Sequence, residues 1–201
     1  RRLLLAEARR LGVQLLGIDV NYSTSQYVVQ KSGKELGVRV SLGEISGISR
    51  PEMDRIICEQ PYADVTDFYL RARPSRRTLE RLALVGALDT IAGVSNEESI
   101  HNRSDLLVKI RQISSKAAPK IDKNQLAFDL TNLDQLPVGN TPPTRQQELA
   151  AEMAVTGMDI SEHQIQKFQQ MLEEMGVVRA SEVGSLRSNT EVLVAGVRIA
   201  T

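Results

Sequence analysis

The fold of this chain is decided by the stretch Leu42-Gly43-Glu44-Ile45-Ser46-Gly47-Ile48-Ser49-Arg50-Pro51-Glu52. A short apolar segment ends at Ile45, Gly47 follows two residues later, and a new helix is predicted to begin close to Pro51. Ser49 and Glu52 have the spacing of a capping box, and proline is favoured in the first turn of a helix. The stretch therefore predicts two helical segments joined by a tight glycine turn, which is the spacing of a helix-hairpin-helix motif.

The predicted turn is chemically suited to an anion. Gly47 has no Cβ, so its backbone allows a ligand to approach closely, and the first N–H groups of the next helix have no partner inside that helix. The helix dipole adds positive potential at the same end. A phosphate is thus a natural ligand for the backbone of Gly47, Ile48 and Ser49, unless the glycine serves only to make a turn.

Arginines further along the chain favour the ligand-binding interpretation. The net charge is zero, yet residues 71–81 carry five arginines against one acid, Glu80. Such a cluster can neutralise several phosphates and makes binding depend on salt. The residues predicted to contact duplex DNA are Ser46, Gly47, Ile48, Ser49, Arg50, Arg55, Arg73, Arg76 and Arg77. Two alternatives stay open: the arginines form a solvated helix face, or the hairpins pack only on protein, as in an interaction scaffold.

The whole chain is predicted to be mainly α-helical, with a small α/β piece at its start and four segments. Residues 1–40 contain a helix and strand-like runs at 13–20, 27–29 and 37–40. Residues 41–116 are predicted to hold a tandem helix-hairpin-helix domain, with capping signals at Ser49, Ser75 and Ser95. Residues 117–143 are polar and rich in proline, as in a linker. Residues 144–201 are predicted to form a helical connector, which begins at Thr144 with Gln147, and then a strand near 192–200.

Composition excludes several classes of site. Aromatic residues make up only 3% of the chain, which argues against a single-strand binder built on stacked rings. The lone Cys58 cannot build a disulfide framework or a zinc site, and it fits a reducing cytoplasm. His101 and His163 have no metal-ligating neighbours in sequence. No apolar run reaches membrane-spanning length, so a membrane partner is not expected.

Four local motifs in the right order resemble bacterial C-family DNA polymerases, the family of the DNA polymerase III alpha subunit and its error-prone paralogue. The motifs lie at residues 8–13 (ARRLGV) with 18–23 (IDVNYS), 42–48 (LGEISGI), 62–68 (YADVTDF) and 79–89 (LERLALVGALD). Residues 154–163 also resemble the family, although Ser161-Glu162-His163-Gln164 replaces its usual SGHP tetrad. Residues 176–178 and 192–197 are similar to the approach to the family's OB domain and its first strand. The tail is closer to the error-prone paralogue.

The resemblance implies a fragment of a polymerase that is itself non-catalytic. The family's palm holds its Mg²⁺ ions with closely spaced aspartates, and this chain has no Asp-Xaa-Asp sequence. It begins inside a predicted helix and stops inside a predicted strand, as an excised piece would. The implied partners are duplex DNA and other proteins of the polymerase assembly, with a bacterial cytoplasmic location and no cofactor in the fragment. Another kind of helix-hairpin-helix protein, such as a repair nuclease subunit, is disfavoured by the match at residues 1–40.

A second binding motif is suggested by the position of residues 125–130 within the polar linker. The alpha subunit carries its sliding-clamp peptide in this region, and Gln125, Leu126 and Phe128 are the candidate clamp-binding residues. The ending Phe128-Asp129-Leu130 is irregular for such a peptide. The alternative, slightly favoured, is that the apolar side chains pin the linker to its own domain. Ser46 is a further departure, since the alpha subunit often has a lysine there.

Overall fold

The computed structural model describes residues 2–33, 35–94, 101–115, 139–162, 165 and 168–196. It comprises two compact units, Arg1–Ser161 and Glu162–Thr201, each considered by itself below. Helices dominate, with one small sheet, which confirms the predicted fold class. The helices are α1 Arg2–Arg10, α2 Arg50–Cys58, α3 Val65–Ala72, α4 Arg76–Leu84, α5 Asp89–Ala92, α6 Arg103–Ser115, α7 Arg145–Thr156, α8 Gln169–Glu174 and α9 Ala180–Val183; the strands are β1 Gln14–Leu16, β2 Val28–Ser32 and β3 Glu35–Arg39, and a 3-10 helix spans Leu42–Glu44.

The sheet contains three strands in the order β1-β3-β2. Strand β1 runs parallel to β3, with Leu15 opposite Val38, and β2 runs antiparallel to β3, with Val29 opposite Val38. The apolar run predicted as a strand over 13–20 forms one only at β1. Beyond it the chain leaves the sheet, because the backbone N–H of Val20 bonds to the Ala87 carbonyl instead.

The IDVNYS stretch at residues 18–23 ties the sheet to the helices. The Asp19 carboxylate accepts the hydroxyl of Thr90 at 2.7 Å, and buried Ser23 donates to the Val40 carbonyl at 2.8 Å. Asn21 exchanges two hydrogen bonds with the backbone of Tyr62, at 2.7 and 2.9 Å. This motif is therefore structural: its polar side chains satisfy buried backbone groups of the helical module.

Helices α2, α4 and α7 begin where serine and threonine caps were predicted. Ser49, Ser75 and Thr144 each accept the backbone N–H three residues ahead, which satisfies one of the free donors at a helix start. Their apolar faces meet in one core, whose fully buried side chains include Val20, Val40, Leu42, Ile56, Phe68, Leu82, Leu88, Leu106 and Ile110. The predicted cap at Ser95 lies outside the described residues.

Helix α7 belongs to the first unit, together with the hairpins. Val155, Met158 and Ile160 are buried in the same core, and the Arg9 guanidinium donates to the carbonyls of Asp159 and Ile160. The compact unit thus reaches Ser161. Residues 144–161 therefore contribute buried side chains to the helical core.

The second unit contains α8 and α9. Its apolar side chains are largely exposed, among them Met171, Met175 and Leu193. The strand predicted near 192–200 does not form over residues 192–196, although the Val178 N–H donates to the Leu193 carbonyl at 2.9 Å. A strand needs a paired neighbour along its length to satisfy its backbone groups. Residues 197–200 lie outside the described part.

Candidate nucleic-acid interface

The Gly47 turn, residues 45–49, has the geometry that its sequence predicts. Gly47 has φ of 75°, in the left-handed region that glycine tolerates best. The segment before it is a single 3-10 turn at Leu42–Glu44, shorter than the helix predicted there. Ile45 is buried and Ile48 packs against the core, while Ser46, Gly47 and Ser49 are exposed. The turn is thus anchored by its apolar residues and presents its backbone to solvent.

The backbone N–H groups of this turn divide into two sets. The Ser46 N–H donates to the Val155 carbonyl at 2.9 Å, and that of Ile48 donates to the Ile45 carbonyl at 3.2 Å. These two groups are engaged in the fold and do not face a ligand freely, contrary to the expectation for Ile48. Within the described residues, the N–H groups of Gly47, Ser49 and Arg50 donate no hydrogen bond.

The predicted capping box is only half formed, and Glu52 serves another purpose. The Ser49 hydroxyl accepts the Glu52 N–H at 3.4 Å, but the Glu52 carboxylate does not return to Ser49. It is buried and accepts the backbone N–H of Ser75 and, at 2.9 Å, the hydroxyl of Thr78. Glu52 therefore fastens α2 to the start of α4, which sets the arginines of α4 beside the Gly47 turn.

Two of those arginines lie against the turn. A Cβ placed on Gly47 would be 2.8 Å from Nη1 of Arg81 and 3.9 Å from Cζ of Arg77. Nη1 of Arg81 is buried and has no hydrogen-bond partner among the described residues. Neither guanidinium has an ion-pair partner in that part of the chain. Positive charge without a counter-ion is thus concentrated at an exposed backbone turn.

Arg81 is the residue that sequence reasoning left out of the site. It belongs to the arginine cluster of residues 71–81 but is not among the predicted DNA contacts. The missing signal was spacing: residues four apart occupy the same face of a helix. Since Arg77 was assigned to the interface, Arg81 could have been assigned with it.

Other predicted arginines have partners of their own. Arg55 donates to the carbonyls of Ala72 and Arg73, at 3.3 and 3.5 Å, and so stabilises the end of α3. Arg76 pairs with Glu80 at 3.0 Å, and Arg73 occupies the left-handed cap of α3. Arg50 is exposed at the start of α2. The structure thus places Arg77 and Arg81 at the turn, whereas the Arg55 side chain is used within the fold to stabilise the end of α3.

Over the described residues, no cluster of three or more histidine, cysteine or acidic side chains could hold a metal. In that same portion, no helix is long and apolar enough to cross a bilayer. Gln125, Leu126 and Phe128, the candidate clamp contacts, lie outside the described residues, as does His163.

Comparison with known proteins supports the interpretation of the hairpin. A family profile described as "Helix-hairpin-helix motif" matches residues 12–98, which include the Gly47 turn and α4. An error-prone DNA polymerase of Corynebacterium diphtheriae is 29% identical over 96% of this chain, and one of Nocardia farcinica is 28% identical over 96%. The DNA polymerase III subunit alpha of Campylobacter jejuni is 23% identical over 94%.

The similarity covers nearly all of this chain but a small part of each relative. The chain spans 17% of the Corynebacterium protein and 16% of the other two. The similarity thus extends over nearly the whole length of this chain. These findings confirm the resemblance to C-family polymerases, with a helix-hairpin-helix motif at its centre.

Proposed function

Since this chain is related to the bacterial C-family DNA polymerases, we propose that it is the part of such an enzyme that holds duplex DNA. In this proposal the Gly47 turn binds the phosphate backbone, with Arg77 and Arg81 supplying charge and Arg50, Arg73 and Arg76 adding to it. Contact with phosphates alone positions a duplex but does not read its sequence. The fragment therefore grips DNA without choosing bases.

The observation that carries this proposal is the pairing of an exposed glycine turn with two uncompensated guanidinium groups. Gly47 and Ser49 have N–H groups without protein acceptors in the described residues, and the buried Nη1 of Arg81 also lacks one. A charged donor buried without an acceptor is costly. An oxyanion at the turn would satisfy all of these donors together.

The proposal is tested by fluorescence anisotropy with two unrelated duplexes over a series of salt concentrations. We expect similar affinities for both duplexes and a linear fall of log K with log salt, of slope about −0.9 for each phosphate contacted. A matched single strand should bind more weakly, since stacking aromatic rings are few. Absence of binding at low salt, or a strong preference for one sequence, would contradict the proposal.

A second candidate, a protein-binding scaffold, draws on one specific contact. The Ser46 N–H bonds to the Val155 carbonyl at 2.9 Å, so this turn already has a protein neighbour. If the chain binds polymerase-assembly proteins but not duplex DNA, the scaffold becomes the better description. Salt-dependent duplex binding separates the two, because packing of apolar hairpins releases no condensed counterions.

For the whole protein we propose a DNA-directed DNA polymerase of the replicative or error-prone kind in the bacterial cytoplasm. Its palm carboxylates and Mg²⁺ would come from outside this chain, which should not extend a primer with deoxynucleotides and magnesium. Extension that survives removal of contaminating polymerases would contradict this. Contact of residues 125–128 with a sliding clamp belongs to the same proposal.

A further inference from the structure

The chain contains a second glycine turn that can be compared with the first. We call residues 85–89 the Gly86 turn. Gly86 has φ of 76°, against 75° for Gly47, and a helix begins three residues after each glycine, at Asp89 and Arg50 respectively. A guanidinium also lies against each glycine: Arg81 at Gly47 and Arg103 at Gly86. The two turns therefore share a left-handed glycine and one cationic neighbour, although the residue before each helix differs: Ser49 is extended, with ψ of 150°, and Leu88 is helical, with ψ of −4°.

The Gly86 turn carries its own anion. The Asp89 carboxylate accepts from Nη2 of Arg103 at 2.5 Å, and it lies 2.7 Å from where a Cβ of Gly86 would be. Glu148 of α7 is a second carboxylate, 3.5 Å from Nη1 of the same arginine. The side chains of Asp89 and Arg103 are each only 17% exposed. The space left by the glycine is thus filled by a closed ion pair.

The Gly47 turn has the cation without the anion. Three residues after its glycine stands Arg50, where the Gly86 turn has Asp89. Arg77 adds a further positive charge near the turn, and Nη1 of Arg81 is buried without an acceptor in the described residues. The sign of the charge three residues after the glycine is therefore reversed between two turns that share a left-handed glycine.

From this comparison we infer that the tandem is asymmetric. A phosphodiester oxyanion binds at the Gly47 turn, against Arg81 and Arg77, in the place that the Asp89 carboxylate takes at the Gly86 turn. The positive charge at the Gly86 turn is neutralised by its own ion pair, so this turn binds no phosphate. It holds α6 and α7 to the hairpin instead. This inference rests on the proposed function for its biological ligand, but the difference between the turns can be tested without DNA.

The first experiment uses inorganic phosphate and the full chain. Amide resonances of ¹⁵N-labelled protein are followed while phosphate replaces chloride at constant ionic strength. We expect shifts at Gly47, Ile48 and Ser49, none at Gly86, and loss of the response in Arg81→Gln. Shifts at both turns, or at neither, would overturn the inference.

The second experiment measures duplex affinity between 50 and 200 mM salt, concentrations over which phosphate contacts dominate. Arg81→Gln should lower the salt slope by about 0.9, so that its loss of affinity over this range is about 3.5-fold smaller than for wild type. Asp89→Asn with Arg103→Gln removes one charge of each sign at the Gly86 turn. This double variant should keep the wild-type slope and an affinity within about twofold.

Controls separate the possible failures. Arg111→Gln removes one exposed positive charge from α6 and reports the effect of net charge alone. Arg77→Gln, at an exposed position, repeats the test if Arg81→Gln unfolds. If Asp89→Asn with Arg103→Gln weakens duplex binding as much as Arg81→Gln does, the inference is overturned. Absence of duplex binding together with phosphate shifts confined to the Gly47 turn would instead refute the proposed function and support the asymmetry.

Discussion

Gly47 and Gly93 have similar backbone conformations, with φ of 75° and 67°, but different surroundings. A Cβ at Gly47 would meet the Arg81 guanidinium, whereas nothing lies within 4 Å of one at Gly93. Alanine at either position should lower the free energy of unfolding by about 1 kcal/mol, because a left-handed conformation is unfavourable with a Cβ. Only Gly47→Ala should also reduce duplex affinity, by several-fold, since it displaces Arg81 and covers the turn.

This pair of variants is measured by thermal unfolding and duplex anisotropy. Gly93→Ala controls for backbone strain, so the difference between the two affinities isolates the turn. Equal affinities for the two variants would mean that the Gly47 turn does not contact DNA.

Tyr62 should ionise at a higher pH than an ordinary tyrosine side chain. It is only 3% exposed and donates to the Ile56 carbonyl at 2.7 Å. Burial raises its pKa to about 12, with the Arg71 guanidinium opposing the shift. Because the folded pKa exceeds the unfolded value near 10, the stabilisation is complete below pH 10 and is lost as pH rises towards 12.

The pH dependence can be checked by urea unfolding between pH 9 and 11 and by tyrosinate absorbance. The free energy of unfolding should fall more steeply for wild type than for Tyr62→Phe, approaching a difference of roughly 2 kcal/mol at the alkaline limit. If the two proteins follow parallel curves, Tyr62 titrates normally.

At the scale of elements, Glu52 determines how α2 and α4 meet. Its buried carboxylate accepts hydrogen bonds from Ser75 and Thr78 at the start of α4. Glu52→Gln replaces one acceptor oxygen by an NH2 group, which would face the hydrogen-bond donors at the start of α4. We therefore expect the free energy of unfolding to fall by about 1–3 kcal/mol. Duplex affinity should fall as well, because Arg77 and Arg81 lie on α4.

Asp54→Asn is the matched control for Glu52→Gln, since Asp54 is an exposed acid on the same helix. It should change stability by less than about 0.5 kcal/mol, as is usual for surface sites. Chemical denaturation compares the two variants. Similar stabilities would show that the Glu52 contacts do not hold α4 in place.

Helix α7 bridges the two glycine turns. Glu148, near its start, approaches Arg103 at 3.5 Å, and the Val155 carbonyl near its end accepts the Ser46 N–H. One helix therefore contacts both turns and sets their separation. This is why residues after the polar linker belong with the hairpins that precede it.

At the scale of the whole molecule, the first compact unit should be sufficient for folding and DNA binding. A chain of residues 1–161 should unfold cooperatively and bind duplex DNA like the full chain. A chain of residues 1–143 lacks Val155, Met158 and Ile160, which are buried in the core. Its free energy of unfolding should be lower by roughly 5 kcal/mol, because burial of each large apolar side chain contributes about 1.5–3 kcal/mol.

Circular dichroism melts and duplex anisotropy distinguish these two truncated chains. Retention of cooperative unfolding by residues 1–143 would mean that α7 is dispensable for the fold of the first unit. Loss of binding by residues 1–161 would instead require a DNA contact in the second unit.

The sequence by itself determined the local features of this protein. The starts of α2, α4 and α7 and the left-handed Gly47 depend on residues no more than about four apart, so capping serines and threonines and a turn glycine were enough to predict them. The longer runs of apolar residues also placed the three short strands, within a few residues. The order of motifs predicted the similarity to C-family polymerases, since it is a property of sequence alone.

Only the tertiary structure decided which charges are available to a ligand. The same residue type occurs at Arg55, Arg77, Arg81 and Arg103, and no local sequence pattern predicts the partner of each. Arg55 donates to the end of α3 and Arg103 pairs with Asp89. Nη1 of Arg81 has no acceptor in the described residues. The partner of a long side chain lies wherever another element brings a carboxylate or carbonyl. Charge compensation is therefore set by packing between elements, and with it the difference between the two glycine turns.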